Sequence, residues 1–125
     1  MINITICDDD KHFLKLLKQK ITSYLANNNQ LSYTIKCFNS IETLLEYNIS
    51  KVNILFLDVR FKAMSGIDAA KILRELSSYF ILIFVSSYIE YAPAGYSVNA
   101  FRYILKEQID IFLDEALNNV VLEYK

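Results

Sequence analysis

Apolar positions along this chain gather into five short runs, at residues 2–7, 33–38, 52–57, 81–85 and 101–105. Each run alternates or is apolar almost throughout, the pattern of a strand buried on one face or on both. Between the runs, apolar positions recur every three or four residues, as on one face of a helix. After Asp10 the stripe is Phe13, Leu16, Leu17, Ile21, Tyr24 and Leu25. Ser40 opens a short helix carrying Ile41, Leu44 and Leu45, and Gly66 precedes Ala69, Ile72, Leu73 and Leu76. A weak helix is expected over 89–97, shortened or distorted by Pro93 and Gly95. The last stripe is the clearest: Ile109, Phe112, Leu113, Ala116, Leu117, Val120 and Val121. Asp9 and Asp10 are placed to cap the first helix, since a carboxylate satisfies free backbone N–H groups and matches the positive end of the helix dipole.

A strand followed by a helix, five times over, predicts an α/β fold: a doubly wound parallel sheet covered on both faces. The runs 52–57 and 81–85 suit its centre. Sheets of this kind bind ligands beyond the carboxyl ends of their strands, at the topological switch point. The residues expected at that rim are chemically distinctive. Asp8 and Asp9 follow the first strand, Asp58 the third, Ser86 and Ser87 the fourth, and Lys106 the fifth. Three carboxylates drawn together repel unless a hard cation gathers them, and oxygen donors without His or Cys favour magnesium or a similar ion. The ammonium and the hydroxyl are then free to hold an anion beside it. Taken singly, each residue has a plainer reading: a helix cap, a solvated strand end, a turn serine, a surface lysine. The functional reading rests on their convergence.

Composition narrows the setting. With 125 residues, 54% hydrophobic and 14% aromatic, the chain suits one domain around one core and is too apolar for disorder. A net charge of −1 gives no sign of a polyanion partner. The longest apolar run, Phe80 to Val85, is strand-sized, far short of the ~20 residues of a membrane span. "MINITICDDD" lacks the basic region and small-residue cleavage site of a signal peptide. Cys7 and Cys37 follow no metal or redox spacing and read as buried free thiols in a reducing compartment, which implies a cytoplasmic protein. The one histidine, His12, reads as a surface residue of the first helix.

Four segments in order carry a family resemblance: "ICDDD", "LFLDVRFKAMSG", "IFVSSY" and "AFRYILK". Over essentially its whole length, residues 1–125, the chain resembles the receiver domain of two-component response regulators. The wording "FVSSYIEYA" and "VNAFRYILK" is most similar to receivers joined to LytTR-type DNA-binding domains. The resemblance implies a flavodoxin-like receiver fold of strand order 2-1-3-4-5. It also implies a phosphorylation-dependent signalling domain that accepts a phosphoryl group from a sensor histidine kinase on Asp58. Magnesium would be held by Asp8, Asp9, Asp58 and the Arg60 carbonyl. Lys106, Ser86 and Ser87 would serve the phosphoryl group, with Tyr103 as the switch aromatic. Such a domain is a phosphoacceptor rather than a turnover enzyme. Its output face is formed by the fourth helix, fifth strand and fifth helix, where a homodimer is possible. Arg60 and Tyr88, two residues beyond Asp58 and Ser86, would tune the lifetime of the phosphorylated form.

The chain departs from the family at Lys62 and Glu107, where prolines are usual. A trans peptide is therefore expected between Lys106 and Glu107, because a cis bond before a non-proline costs ~2.5–4 kcal/mol. Two other functions on the same fold fit the residues less well. A magnesium-dependent phosphohydrolase usually needs an acid two residues after the nucleophile, where Arg60 stands. A nucleotide-binding flavodoxin-like module would need a Gly-rich or hydroxyl-rich first loop, and "CDDDK" repels phosphate unless a metal intervenes. No basic reading helix follows the fifth helix before Lys125, so DNA contact is expected only through an output domain outside this chain, and no membrane contact is expected.

Overall fold

The computed structural model describes residues 1–27, 32–77 and 79–121. Five parallel strands form one sheet in the order β2-β1-β3-β4-β5: β1 (Ile2–Cys7), β2 (Tyr33–Phe38), β3 (Ile54–Leu57), β4 (Ile81–Ser86) and β5 (Ala100–Leu105). The connections carry α1 (Lys11–Ala26), α2 (Ile41–Glu46), α3 (Gly66–Leu76) and α4 (Ala92–Tyr96), and α5 (Ile109–Val121) follows β5. Fold class and strand order are those expected.

The apolar runs are continuous in the central strands because both sides of the sheet are covered. Ile54 and Phe56 face a core shared with Leu17, Ile21 and Leu25 of α1 and Leu113, Leu117 and Val120 of α5. Leu55 and Leu57 face the opposite core, with Ile41 and Leu44 of α2 and Ala69, Ala70 and Leu73 of α3. Phe56 and Phe84 are completely buried, each contributing about 1.5–3 kcal/mol by leaving water. At the sheet edge, β2 alternates between half-buried and exposed positions over most of its length.

Three expectations need correction. The third strand starts at Ile54 rather than Val52, because residues 49–51 form a 3-10 turn closed by the Val52 N–H on the Ile49 carbonyl. The weak helix over 89–97 is short and distorted as expected, a 3-10 turn at Ile89–Tyr91 followed by the five-residue α4, with Pro93 in its first turn. Pro93 has no N–H to donate, and a first turn does not require one. Cys37 is half-buried on the edge strand, whereas Cys7 is buried as expected, and both are free thiols. Asp10 alone caps α1, accepting from the N–H groups of His12 and Phe13. Asp9 does not take that role.

Among the described residues no peptide is cis, so the Lys106–Glu107 bond is trans. His12 is exposed. No helix among the described residues is long and apolar enough to cross a membrane.

Candidate functional site

Two hydrogen bonds explain why separate strands deliver their carboxylates side by side. The Asp8 N–H donates to the Phe38 carbonyl and the Asp58 N–H to the Cys7 carbonyl, each at 3.1 Å. The sheet ladder thus continues one residue past β1 and β3, and the two side chains leave from the same edge. Behind them α3 begins unusually close. The Gly66 N–H donates to the Val59 carbonyl at 2.6 Å, and a Cβ on Gly66 would lie 1.9 Å from the Asp58 carbonyl oxygen. Only glycine allows this approach.

Lys106, just past β5, bridges the two carboxylates. Its Nζ is 2.8 Å from Asp8 Oδ2 and 3.1 Å from Asp58 Oδ2. The remaining oxygens are held by backbone. Asp8 Oδ1 accepts from the Asp10 N–H at 2.9 Å, and Asp58 Oδ1 from the Val59 N–H at 2.7 Å. The Lys106 ammonium also lies 4.6 Å from the centre of the Phe13 ring. Asp8 and Asp58 are buried, and Asp9 is exposed beside them.

One ammonium does not balance this charge. Burial pushes the Asp8 carboxyl up to about 6, against the pull of its hydrogen bond from Lys106; the charge of Asp58 pushes the same way as burial. For Lys106 burial acts downward, and the hydrogen bond and charge of Asp8 with the charge of Asp58 more than offset it, so its value is raised. Burial, together with the charges of Asp8 and Asp58, raises the Cys7 thiol and keeps it protonated and unreactive.

The donor set fits a hard divalent cation. One oxygen from each of Asp8, Asp9 and Asp58 lies within 4.8 Å of the others, and the group contains no softer ligand. Such an ion would be held by these three carboxylates, with the Arg60 carbonyl in the adjoining loop as a candidate fourth donor.

The β4 and β5 ends complete the rim. Ser86 is fully buried, and its Oγ accepts from the Tyr88 N–H at 3.2 Å, whereas Ser87 is exposed. Tyr103 is half-buried, its ring 5.9 Å from that of Phe84, and its hydroxyl donates to the Tyr88 carbonyl. Burial raises the Tyr103 phenol; a hydrogen bond with Ser86 opposes this, and the Asp58 charge adds to it. The Arg60 guanidinium stacks 4.7 Å from the centre of the Tyr88 ring, joining the loops that follow β3 and β4.

Asp8, Asp58 and Lys106 are therefore in direct contact, with Asp9 beside them. Ser86, Tyr88 and Tyr103 form a hydrogen-bonded set, and Arg60 meets it through Tyr88. Sequence reasoning did not identify Phe13 as a neighbour of Lys106 or the close approach at Gly66. The first contact joins elements more than ninety residues apart in the chain and leaves no local pattern. The second had a signal, since Gly66 is one of only two glycines.

Comparison with known proteins agrees with this geometry. The chain is 28% identical over 120 residues to the sensory transduction protein LytT of Enterococcus faecalis, covering 96% of this chain and 46% of that protein. It is 25% identical over 117 residues to the transcriptional regulatory protein BtsR of Escherichia coli, covering 94% of this chain and 47% of BtsR. The chain thus spans about half the length of the curated relatives it matches. Among solved structures, the response regulator TrrA of Thermotoga maritima, in complex with Mg(2+)-BeF, superposes with a TM-score of 0.80 at 21% identity, covering 96% of this chain and 99% of that one. The BeF3-activated DrrB receiver domain gives 0.76 at 23% identity, covering 98% of each chain. The model of the response regulator receiver domain matches residues 4–118, and the chain belongs to that family of phosphorylation-dependent signalling domains.

Proposed function

We propose that Asp58 accepts a phosphoryl group from a sensor histidine kinase and that the modified rim resets the face made by α4, β5 and α5. The observation that carries this reading is the buried Asp8–Lys106–Asp58 bridge, with Lys106 at 2.8 and 3.1 Å. In the transfer an Asp58 oxygen bonds to phosphorus while the bond from phosphorus to the kinase's imidazole nitrogen breaks. The electron pair of that bond stays on the imidazole. Magnesium, when bound, supplies positive charge against the developing charge on the phosphoryl oxygens. Asp8, Asp9, Asp58 and the Arg60 carbonyl are the groups that would hold it.

Lys106 exchanges its bond to the Asp58 carboxylate for one to a phosphoryl oxygen, so its charge remains paired throughout. The Ser86 hydroxyl turns from the Tyr88 N–H to donate to a second phosphoryl oxygen, with Ser87 beside it. Tyr103, already bonded to the Tyr88 carbonyl, fills the space that Ser86 leaves. The phosphoryl group stays on Asp58 as an acyl phosphate, so the domain acts as a phosphoacceptor rather than a turnover enzyme. In this reading the receiver controls an attached LytTR-type DNA-binding region in the cytoplasm; that one relative is named a sensory transduction protein and another a transcriptional regulatory protein supports a transcriptional output.

The decisive experiment uses acetyl phosphate as a small donor. With magnesium, the intact protein should gain one phosphoryl mass, and Asp58→Asn should gain none. Labelling of Asp58→Asn at the wild-type level overturns the assignment.

A further inference from the structure

We infer that Phe13 is a positioning residue for Lys106: its ring is a platform that keeps the ammonium poised between Asp8 and Asp58, where the incoming phosphoryl oxygen must be met. The inference rests on the reading of Asp58 as acceptor and Lys106 as phosphoryl partner. Lys106 reaches the acceptor on a flexible four-carbon stem from a short 3-10 turn at Lys106–Gln108. Its two carboxylate partners, at 2.8 and 3.1 Å, fix the ammonium's distance from the sheet edge. They also compete for it. When Asp58 becomes an acyl phosphate, the carboxylate charge that held the lysine there moves onto the phosphoryl oxygens. A holder that does not change during the reaction is then useful, and Phe13 is one. Its ring lies 4.6 Å from Nζ, close enough for the face of the π-system to attract the cation. It sits in the first turn of α1, half-buried against the core under α1 and α5. That turn is fixed by the Asp10 carboxylate, which accepts from the N–H of Phe13 itself at 3.2 Å. The acidic cluster and the ring thus share one anchored turn, so the platform has a fixed place relative to Asp8 and Asp9.

The alternative is that Phe13 only fills the core. Two measurements separate the readings. In the metal-free, unphosphorylated protein, the Lys106 ε-methylene protons should be shifted upfield by the ring current. That shift should survive Phe13→Tyr and vanish in Phe13→Leu. With acetyl phosphate and magnesium, Phe13→Leu should be phosphorylated about fivefold more slowly, the size of a partly desolvated cation–π contact, and Phe13→Tyr should stay within about twofold of wild type. In a Lys106→Met background Phe13→Leu should have no further effect, since the contact is already gone. An ordinary Lys106 shift in wild type overturns the inference. So does an equal slowing by Phe13→Leu in both backgrounds, which marks a packing role. Failure of the parent reading would look different, because the wild-type protein itself would then gain no phosphoryl mass.

Discussion

Asp8 carries an electrostatic cost that the rest of the fold must offset. Its carboxyl titrates at about 6 in the folded chain, against an ordinary value of 3.8, chiefly because it is buried. Between those values the folded protein binds a proton that the unfolded chain has released. Stability from this group is therefore fully present below about pH 4 and is lost as pH rises through about 6. At roughly 1.4 kcal/mol per unit the loss is about 3 kcal/mol. Other carboxylates titrate over the same range, so the effect is isolated by comparison with Asp8→Asn in the presence of a chelator. Urea unfolding should show the variant gaining on wild type as pH rises from about 4.5 to 7.5. A flat difference would mean that Lys106 neutralises Asp8 fully. The residues of this cluster were legible in the sequence because each directly follows an apolar strand, where the alternating fold leaves only the rim. The division of labour between Asp9 and Asp10 was not, because adjacent carboxylates have the same capping chemistry and only the entry angle of α1 separates them. Phe13 was equally hidden, since it reads as one more residue of an apolar stripe.

Elements were legible wherever two faces had to be buried. Residues 2–7, 54–57 and 81–86 are buried almost without a break, as strands covered on both faces must be. Stripe edges were less certain: Leu16, Ile72, Leu76 and Phe112 fit the helical period, yet each is exposed. The period defines a face, and the width of that face depends on what covers it. Arg74 shows what periodicity omits. From α3 its guanidinium donates to the carbonyls of Phe80, Val98 and Asn99 at 2.7–3.0 Å, tying the start of β4 to the turn before β5, where Asn99 has a positive φ of 59°. The loops at the other end of the sheet meet through the Arg60–Tyr88 stack. We expect this pair to roof the acyl phosphate: Tyr88 obstructs in-line attack by water, and Arg60 adds a donor near the phosphoryl oxygens. Neither side chain is a good general base. Arg60→Asn combined with Tyr88→Glu should therefore speed the loss of phosphate from the purified phosphoprotein. Unchanged or slower decay in that double variant sinks the roof.

At the scale of the whole molecule, the rim and the α4–β5–α5 face are joined through Tyr103. Its hydroxyl bonds the Tyr88 carbonyl at the rim, and its ring rests on Phe84 beneath α4. Gly95 of α4 leaves room for that ring, since a Cβ there would stand only 3.2 Å from Tyr103. Tyr103 also lines a groove on that face, beside exposed apolar side chains. Ile89 is 60% exposed and Phe112 41%, around a groove that also includes Arg102, Leu105 and Glu115. The groove carries both signs of charge. In a two-fold pairing, where each surface meets its own copy, Arg102 on one protomer can face Glu115 on the other while the apolar residues meet between them. We therefore predict that magnesium with beryllium fluoride, a stand-in for the phosphoryl group, shifts the wild-type protein from monomer towards dimer in sedimentation experiments. Phe112→Asp should keep it monomeric while leaving labelling by acetyl phosphate intact, because Phe112 lines this groove and is not among the residues that meet at the rim. A dimer that survives this change would move the interface to another face. Monomers in every condition would mean that Tyr103 reports the phosphoryl group to a different partner surface.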